Sequence, residues 1–150
     1  MSPQDTVRSI LASKGAHVWS IGPGATVYEA TEIMAEREIG SMPVIDDSGD
    51  LVGLFSERDY ARKIILQGRS SRETPVSDIM SSPVIYVSPG ETVDRCMHIM
   101  TDARIRHLPV VEQGRVVGIV SIGDLVNWII SSHEESIAHL QSYIAGVYPG

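Results

Sequence analysis

Residues 52–59 read Val-Gly-Leu-Phe-Ser-Glu-Arg-Asp, and residues 117–124 read Val-Gly-Ile-Val-Ser-Ile-Gly-Asp. Upstream, Val18–Val27 aligns in the same way with Val84–Val93, so that Pro23 corresponds to Pro89. The offset between the copies is 66 positions at these upstream segments and 65 positions after a one-residue deletion in the second copy. This internal repeat predicts two copies of one supersecondary unit, which together bury the apolar face that neither copy covers alone.

Each copy predicts the order strand, helix, strand, strand, helix, from apolar spacing and turn residues. In the first copy the elements are Val18–Ile21, a helix from an N-cap at Thr26 to a glycine cap near Gly40, the hairpin strands Ser41–Ile45 and Asp50–Phe55, and a helix from Ser56 to Leu66. In the second copy they are Val84–Val87, Thr92–Ala103, His107–Val111, Arg115–Val120 and Ser121–Ile130. The predicted fold class is therefore mixed α/β, with two pseudo-twofold-related β-α-β-β-α repeats packed through their sheets.

The chain divides by this pattern into three parts. Residues 1–70 form the first repeat with a lead-in helix, and residues 71–131 form the second repeat with its own lead-in. In residues 132–150 the side chains of Ile137, Leu140 and Ile144 recur at helical spacing, which predicts a C-terminal amphipathic helix.

The bulk composition excludes several classes of partner. The 150 residues carry a net charge of −7, which argues against a nucleic-acid partner held by its phosphates. No apolar run approaches the roughly 20 residues that a membrane helix needs, and no secretory signal is visible. The single cysteine, Cys96, forms no intramolecular disulfide and suits a reducing compartment. We expect a cytoplasmic protein without a membrane partner.

The clearest candidate site is a Ser-x-x-Asp motif, at Ser56 and Asp59 and again at Ser121 and Asp124. A carboxylate at the start of a helix can accept hydrogen bonds from both hydroxyls of a ribose, and the helix N-terminal amides favour phosphate. The alternative is structural, because a serine N-cap followed three residues later by an acid has the form of a capping box. The motif by itself leaves both interpretations open.

Several segments occur twice in the same order: Ile39–Val44 and Ile105–Val111, Val52–Asp59 and Val117–Asp124, with the lead-in Asp78–Val84 before the second set. This order resembles the CBS domain, named for cystathionine β-synthase, and the chain looks like a tandem pair of the stand-alone bacterial signalling type. The resemblance implies a non-catalytic module that binds AMP, ADP or ATP, in some members NAD(H) or S-adenosylmethionine. It also implies a homodimer and a signal that is passed to an attached or associated protein. Since no enzyme domain is visible in the sequence, we expect this effector to be a separate chain.

The resemblance further implies two ligand clefts, each built from both copies. The Asp124 cleft would take Arg106 and His107 from its own copy and Ile39 and Gly40 from the other. The Asp59 cleft would take Ser41 and Arg58, with Ile105 and Arg106 from the other copy. Ser56, Ser121 and Gly123 would also bind the nucleotide, and Trp19 and Ile85 would contact its base.

Each of these assignments has a structural alternative. An arginine suits a bidentate phosphate contact, but Arg106 can equally be a solvated charge and His107 a packed histidine. Trp19 can be a core residue instead of a stacking partner. Gly40 and Ser41 are uncharged where the second copy has Arg106 and His107, so the two clefts should differ.

The sequence thus predicts a regulatory adenine-nucleotide-binding module that senses energy or redox state and signals to a partner protein. We expect no catalytic residues, no catalytic cofactor and no metal site, since Cys96 and His98 have no second cysteine to support zinc. One alternative is a structural dimerisation module whose clefts bind nothing. Others are an S-adenosylmethionine sensor and a small enzyme acting on a nucleotide, for which no activated nucleophile is visible.

Overall fold

The computed structural model describes residues 4–15 and 17–132. Its elements are helix α1 (Val7–Lys14), helix α2 (Val27–Arg37), strands β1 (Ser41–Ile45) and β2 (Leu51–Ser56), the short helix α3 (Glu57–Asp59), a π-helix (Tyr60–Ile65), a 3₁₀ turn (Val76–Asp78), helix α4 (Val93–Ala103), and strands β3 (His107–Glu112) and β4 (Arg115–Ser121). Residues 122–132 are helical and are called α5. The C-terminal helix was predicted for residues 132–150, and all of these except Ser132 lie outside the described residues.

The fold is mixed α/β with two small antiparallel sheets, as the sequence predicts. Strands β1 and β2 pair in a register that places Ser41 opposite Ser56 and Met42 opposite Phe55. Strands β3 and β4 form the other sheet. The hairpin between β1 and β2 turns at Gly49, whose φ of 86° suits a residue without a side chain.

The predicted first strand of copy one, Val18–Ile21, is reduced to a single parallel bridge between Ile21 and Val44. Ile21 N donates to Pro43 O at 3.1 Å, and Ile45 N donates to Ile21 O at 2.9 Å. The next bond of a parallel ladder would need an N–H from Pro43, and proline has none. The ladder therefore stops after one bridge.

The N-caps of the two equivalent helices are confirmed, and the predicted C-cap is wrong. Thr26 Oγ1 accepts from Glu29 N at 3.1 Å, and Thr92 Oγ1 accepts from Arg95 N at 3.1 Å. Helix α2 ends at a left-handed residue, Glu38 with φ 54°, instead of at Gly40. The left-handed residue that ends a helix directly follows its last helical residue, which here is Arg37. That position is occupied by Glu38, two residues before Gly40.

Two compact units contain the motif aspartates. The Asp59 unit consists of His17–Tyr86 and Pro109–Gly118, and the Asp124 unit consists of the described residues of Met1–Ala16, Val87–Leu108 and Ile119–Gly150. The core of the Asp59 unit is apolar, and its buried members are Val27, Ala30, Met34, Met42, Val44, Phe55, Ile64, Val76 and Ile79. Burial of these side chains supplies the main stabilisation of the unit.

The lead-ins are exchanged between the copies. Helix α1 precedes the first copy but belongs to the Asp124 unit, where Val7 N donates to Glu91 O at 2.9 Å. The 3₁₀ turn precedes the second copy but belongs to the Asp59 unit, where Val76 N donates to Ala25 O at 2.8 Å. Val7 and Val76 are completely buried, so each lead-in inserts an apolar side chain into the core of its unit. The predicted division at residue 70 follows the order of the copies along the chain, whereas each of these units includes the lead-in of the other copy.

Candidate functional site

The first motif forms a complete capping box at the start of α3. Ser56 Oγ accepts from Asp59 N at 3.2 Å, and Asp59 Oδ2 accepts from Ser56 N at 3.0 Å and from Ser56 Oγ at 3.1 Å. Ser56 and Asp59 therefore cap the helix, as the structural interpretation of the motif predicts. Asp59 is only 6% exposed, so these bonds also compensate its burial.

The other oxygen of Asp59 is held by two more side chains. Oδ1 accepts from Ser81 Oγ at 2.9 Å and pairs with Lys63 Nζ at 3.2 Å. Lys63 Nζ also donates to Ile79 O at 2.9 Å. The π-helix begins directly after Asp59, and Lys63 lies within it. Both oxygens of this carboxylate consequently have protein partners.

The second motif has the same capping geometry but a different cation. Asp124 N donates to Ser121 Oγ at 3.1 Å, and Ser121 N donates to Asp124 Oδ2 at 2.8 Å. Lys14 Nζ, at the end of α1, donates to the same Oδ2 at 2.7 Å and to Ile119 O at 3.1 Å. The Asp124 side chain is 24% exposed, against 9% for Asp59. The second carboxylate is thus the more accessible of the two.

The pKa of Asp124 results from opposing effects. Burial by itself raises the pKa, but the hydrogen bonds from Lys14 and Ser121 and the positive charge of Lys14 outweigh it. The pKa therefore lies below its ordinary value, and Asp124 is an anion at neutral pH.

A backbone hydrogen bond joins each motif to a residue that lies just before a strand of the same copy. Gly40 O accepts from Glu57 N at 3.1 Å, and Arg106 O accepts from Ile122 N at 2.8 Å. In each unit, therefore, the residue just before a strand binds the first amide after the motif serine. Gly40 and Arg106 thus each lie beside the motif of their own copy. Gly40 was predicted for the Asp124 cleft of the other copy, and the roles of both residues in a ligand cleft stay predictions.

Ser41 is the predicted site residue with an unmet hydrogen-bonding group. It lies opposite Ser56 in the β1–β2 register and is 4% exposed. Among the described residues, its Oγ has no hydrogen-bond partner. A buried hydroxyl is normally paired, so this group beside the motif needs an explanation that capping does not supply.

The remaining predicted residues differ in burial. Ile39, Ile105 and His107 are half-buried, and Arg58, Arg106 and Gly123 are exposed. Ile39 packs against the core of the Asp59 unit. The exposure of Arg106 leaves its guanidinium accessible to an anionic ligand.

The two predicted base contacts have different surroundings. Trp19 packs against the apolar core, with the Arg37 guanidinium 4.0 Å from its ring centroid and the His17 ring edge-on at 4.5 Å. Trp19 therefore contributes to the packing of the core, as the structural alternative predicts. Ile85 is 45% exposed. Contact of either residue with a base stays a prediction.

Sequence reasoning missed three residues that bind the motif carboxylates. Lys63 is four positions from Asp59 on the same helical segment, and this spacing was a readable signal. Ser81 is 22 positions from Asp59, and Lys14 is 110 positions from Asp124. No local pattern connects residues so far apart, so only the folded chain reveals them.

Other features of the described residues do not involve the motif. A cavity of about 490 Å³ is lined by the loop 22–25 and the turn 46–48, and it contains none of the predicted site residues. Within residues 4–15 and 17–132, no group of three or more metal-ligating side chains is brought together. In the same part of the chain, no helix has the length and apolar character needed to cross a membrane.

Comparison with known proteins identifies the repeat. The family model of the CBS domain matches residues 7–66 and again residues 76–131. The mitochondrial CBS domain-containing protein CBSX3 of Arabidopsis thaliana is 40% identical over 152 aligned positions, which cover 95% of this chain and 73% of the relative.

Solved structures of CBS-domain proteins also match the fold of this chain. A CBS-domain protein of Burkholderia ambifaria, described as a putative signal-transduction protein, superposes with a TM-score of 0.81 at 45% identity, covering 85% of this chain and 95% of its own. The CBS domain pair of protein MJ0100, solved with 5′-methylthioadenosine and S-adenosyl-L-methionine, gives 0.77 at 28% identity, covering 87% and 99%. CBS-domain pairs are generally regulatory modules that bind ligands, and they are generally not catalytic. This chain belongs to the CBS-domain family and carries two CBS domains in tandem.

Proposed function

We propose that this protein is a regulatory module that binds an adenine nucleotide at one or both Ser-x-x-Asp motifs and signals its presence to a partner protein. AMP, ADP and ATP are the expected ligands, and NAD(H) is the next candidate. The observation that carries the proposal is the buried hydroxyl of Ser41, which has no partner in the described residues and lies opposite Ser56. A ligand beside the motif would supply the missing hydrogen bond.

Charge favours a phosphorylated ligand over S-adenosylmethionine. The MJ0100 complex supports recognition of an adenosine group, which its two ligands share with the adenine nucleotides. S-adenosylmethionine carries a positive sulfonium, whereas a nucleotide carries negative phosphates. Arg106 is exposed next to the second motif and would attract the phosphates and repel the sulfonium.

Calorimetry and thermal unfolding with AMP, ADP, ATP, NADH and S-adenosylmethionine test the proposal. A ligand at 100 times its Kd stabilises the folded protein by about 2.7 kcal/mol, which a melting curve detects easily. Arg106→Gln should weaken nucleotide binding, while Arg95→Gln, the same charge change at an exposed position on α4, should not. If no member of the panel binds, the proposal is refuted.

The second candidate is a structural interaction module that forms homodimers and binds no nucleotide. It is favoured by the capping boxes, since both motif aspartates already have protein partners. It is also favoured by exposed apolar side chains on the Asp59 unit, such as Leu66 at 79% and Ile65 at 61%. In that case sedimentation would show a dimer, and no ligand of the panel would change the melting temperature.

A further inference from the structure

Lys14 joins a lead-in helix to the candidate ligand site of the Asp124 unit. It is the last residue of α1, and its ammonium bonds both to Asp124 Oδ2, at 2.7 Å, and to Ile119 O on β4, at 3.1 Å. One side chain therefore fastens the C-terminal end of α1 to the motif and to the sheet that precedes it.

This contact occupies an oxygen that the proposed ligand needs. A ribose diol that donates one hydrogen bond to each carboxylate oxygen must reach Oδ2, and each such oxygen accepts about two bonds. Oδ2 already accepts from Ser121 N and from Lys14 Nζ. The Ser121 amide is part of the capping geometry and cannot leave without opening the start of α5, so the ammonium is the group that must yield.

We propose that Lys14 occupies the Asp124 site when no ligand is bound, and that the ligand's diol displaces its ammonium from Oδ2 and releases the C-terminal end of α1. The inference rests on the proposed function. It makes α1 the element through which occupancy of this site is transmitted. Ion pairs between partly exposed groups are weak in water, so the displacement lowers ligand affinity by only about two- to fivefold.

The Asp59 unit is not built to respond in this way. Its cation, Lys63, is four residues after Asp59 on the same continuous helical segment, so displacing it would leave that segment attached. The Asp59 side chain is 9% exposed and is held additionally by Ser81. A ligand at Asp59 would have to replace the buried bonds from Ser81 and Lys63. A ligand at Asp124 would have to replace only the bond from the exposed Lys14 ammonium.

The test measures AMP binding and amide hydrogen exchange in the full-length protein. Lys14→Met removes the ammonium and keeps the length of the side chain, and Arg95→Met removes a positive charge from an exposed position on α4. We expect Lys14→Met to bind AMP two- to fivefold more tightly than the wild type and Arg95→Met to bind it unchanged. In the wild type, AMP should accelerate exchange at residues 8–15 several-fold.

Each other outcome has a defined meaning. Weaker AMP binding by Lys14→Met would show that Lys14 holds the ligand, which overturns the displacement. Unchanged exchange at residues 8–15 in a protein that binds AMP would overturn it as well. If neither wild type nor Lys14→Met binds AMP, ADP, ATP or NADH, the proposed function itself fails, and the displacement fails with it.

Discussion

Replacing Asp59 with alanine should destabilise the protein considerably more than replacing Asp124 with alanine. The two residues hold equivalent positions in the repeat, so helix propensity and capping chemistry nearly cancel in the comparison. What differs is the environment, since Asp59 is 6% exposed and bound through both oxygens, whereas Asp124 is more exposed and paired with a partly exposed lysine. The pair of variants thus isolates the effect of tertiary contacts.

The magnitude follows from the contacts that each variant loses. Both lose a capping interaction worth about 1 kcal/mol. Asp59→Ala also removes the acceptor of the Ser81 hydroxyl, a bond to a charged group worth about 1.5 kcal/mol or more, and an ion pair with Lys63 of about 0.5 kcal/mol. Asp124→Ala loses only the Lys14 pair in addition, again about 0.5 kcal/mol. We expect losses of about 3 and 1.5 kcal/mol.

Equilibrium unfolding in urea measures both losses. The midpoint should fall while the slope of the transition stays constant, since neither variant changes the surface exposed on unfolding. In thermal unfolding, 1 kcal/mol corresponds to about 2–4 °C for a chain of this size. Asp47→Ala, which removes an equal charge from an exposed turn position, controls for the change in net charge.

Equal destabilisation by the two variants would refute the reasoning. It would mean that the capping boxes dominate and that the burial of Asp59 and its bond to Ser81 add nothing. A greater loss for Asp124→Ala would show that Lys14 contributes more to stability than exposed ion pairs normally do.

Three further predictions concern Lys14, Cys96 and Gly53. Lys14→Met should raise the pKa of Asp124 in an NMR titration; in the wild type the stabilisation from this lowered pKa is present above about pH 4 and is lost as the pH falls through the folded-state value. Burial, with a smaller effect of the nearby Glu91, raises the pKa of Cys96 to about 11, so maleimide at pH 8 should label this thiol only after unfolding. Gly53→Ala should cost about 1–3 kcal/mol in urea unfolding, because the added methyl meets the Met80 side chain; Met80→Ala in the same chain should recover part of the loss.

The parts of the fold that could be predicted depend on neighbouring residues. The helix starts at Thr26 and Thr92 and the turn at Gly49 are found where the sequence places them. Caps and turns involve residues a few positions apart, so their chemistry is visible in the chain itself. The strand at Val18–Ile21 was overestimated, because its pairing depends on Pro43, which belongs to a different strand.

The candidate site was predictable to the same extent. Ser56 and Asp59 bind each other across three positions, and the capping alternative could be stated from their spacing alone. The burial of Ser41 and its lack of a partner among the described residues depend on how β1 pairs and packs, and no pattern in the sequence indicates them.

By itself, then, the amino-acid sequence determined the duplicated order of helices and strands and the two helix-initiating carboxylates, since these arise from interactions within a few residues. Only the tertiary structure decided that each lead-in belongs to the unit of the other copy and that Lys14, 110 positions away, neutralises Asp124. The physical reason is that a charged side chain meets whichever distant segment the packing of the core brings beside it.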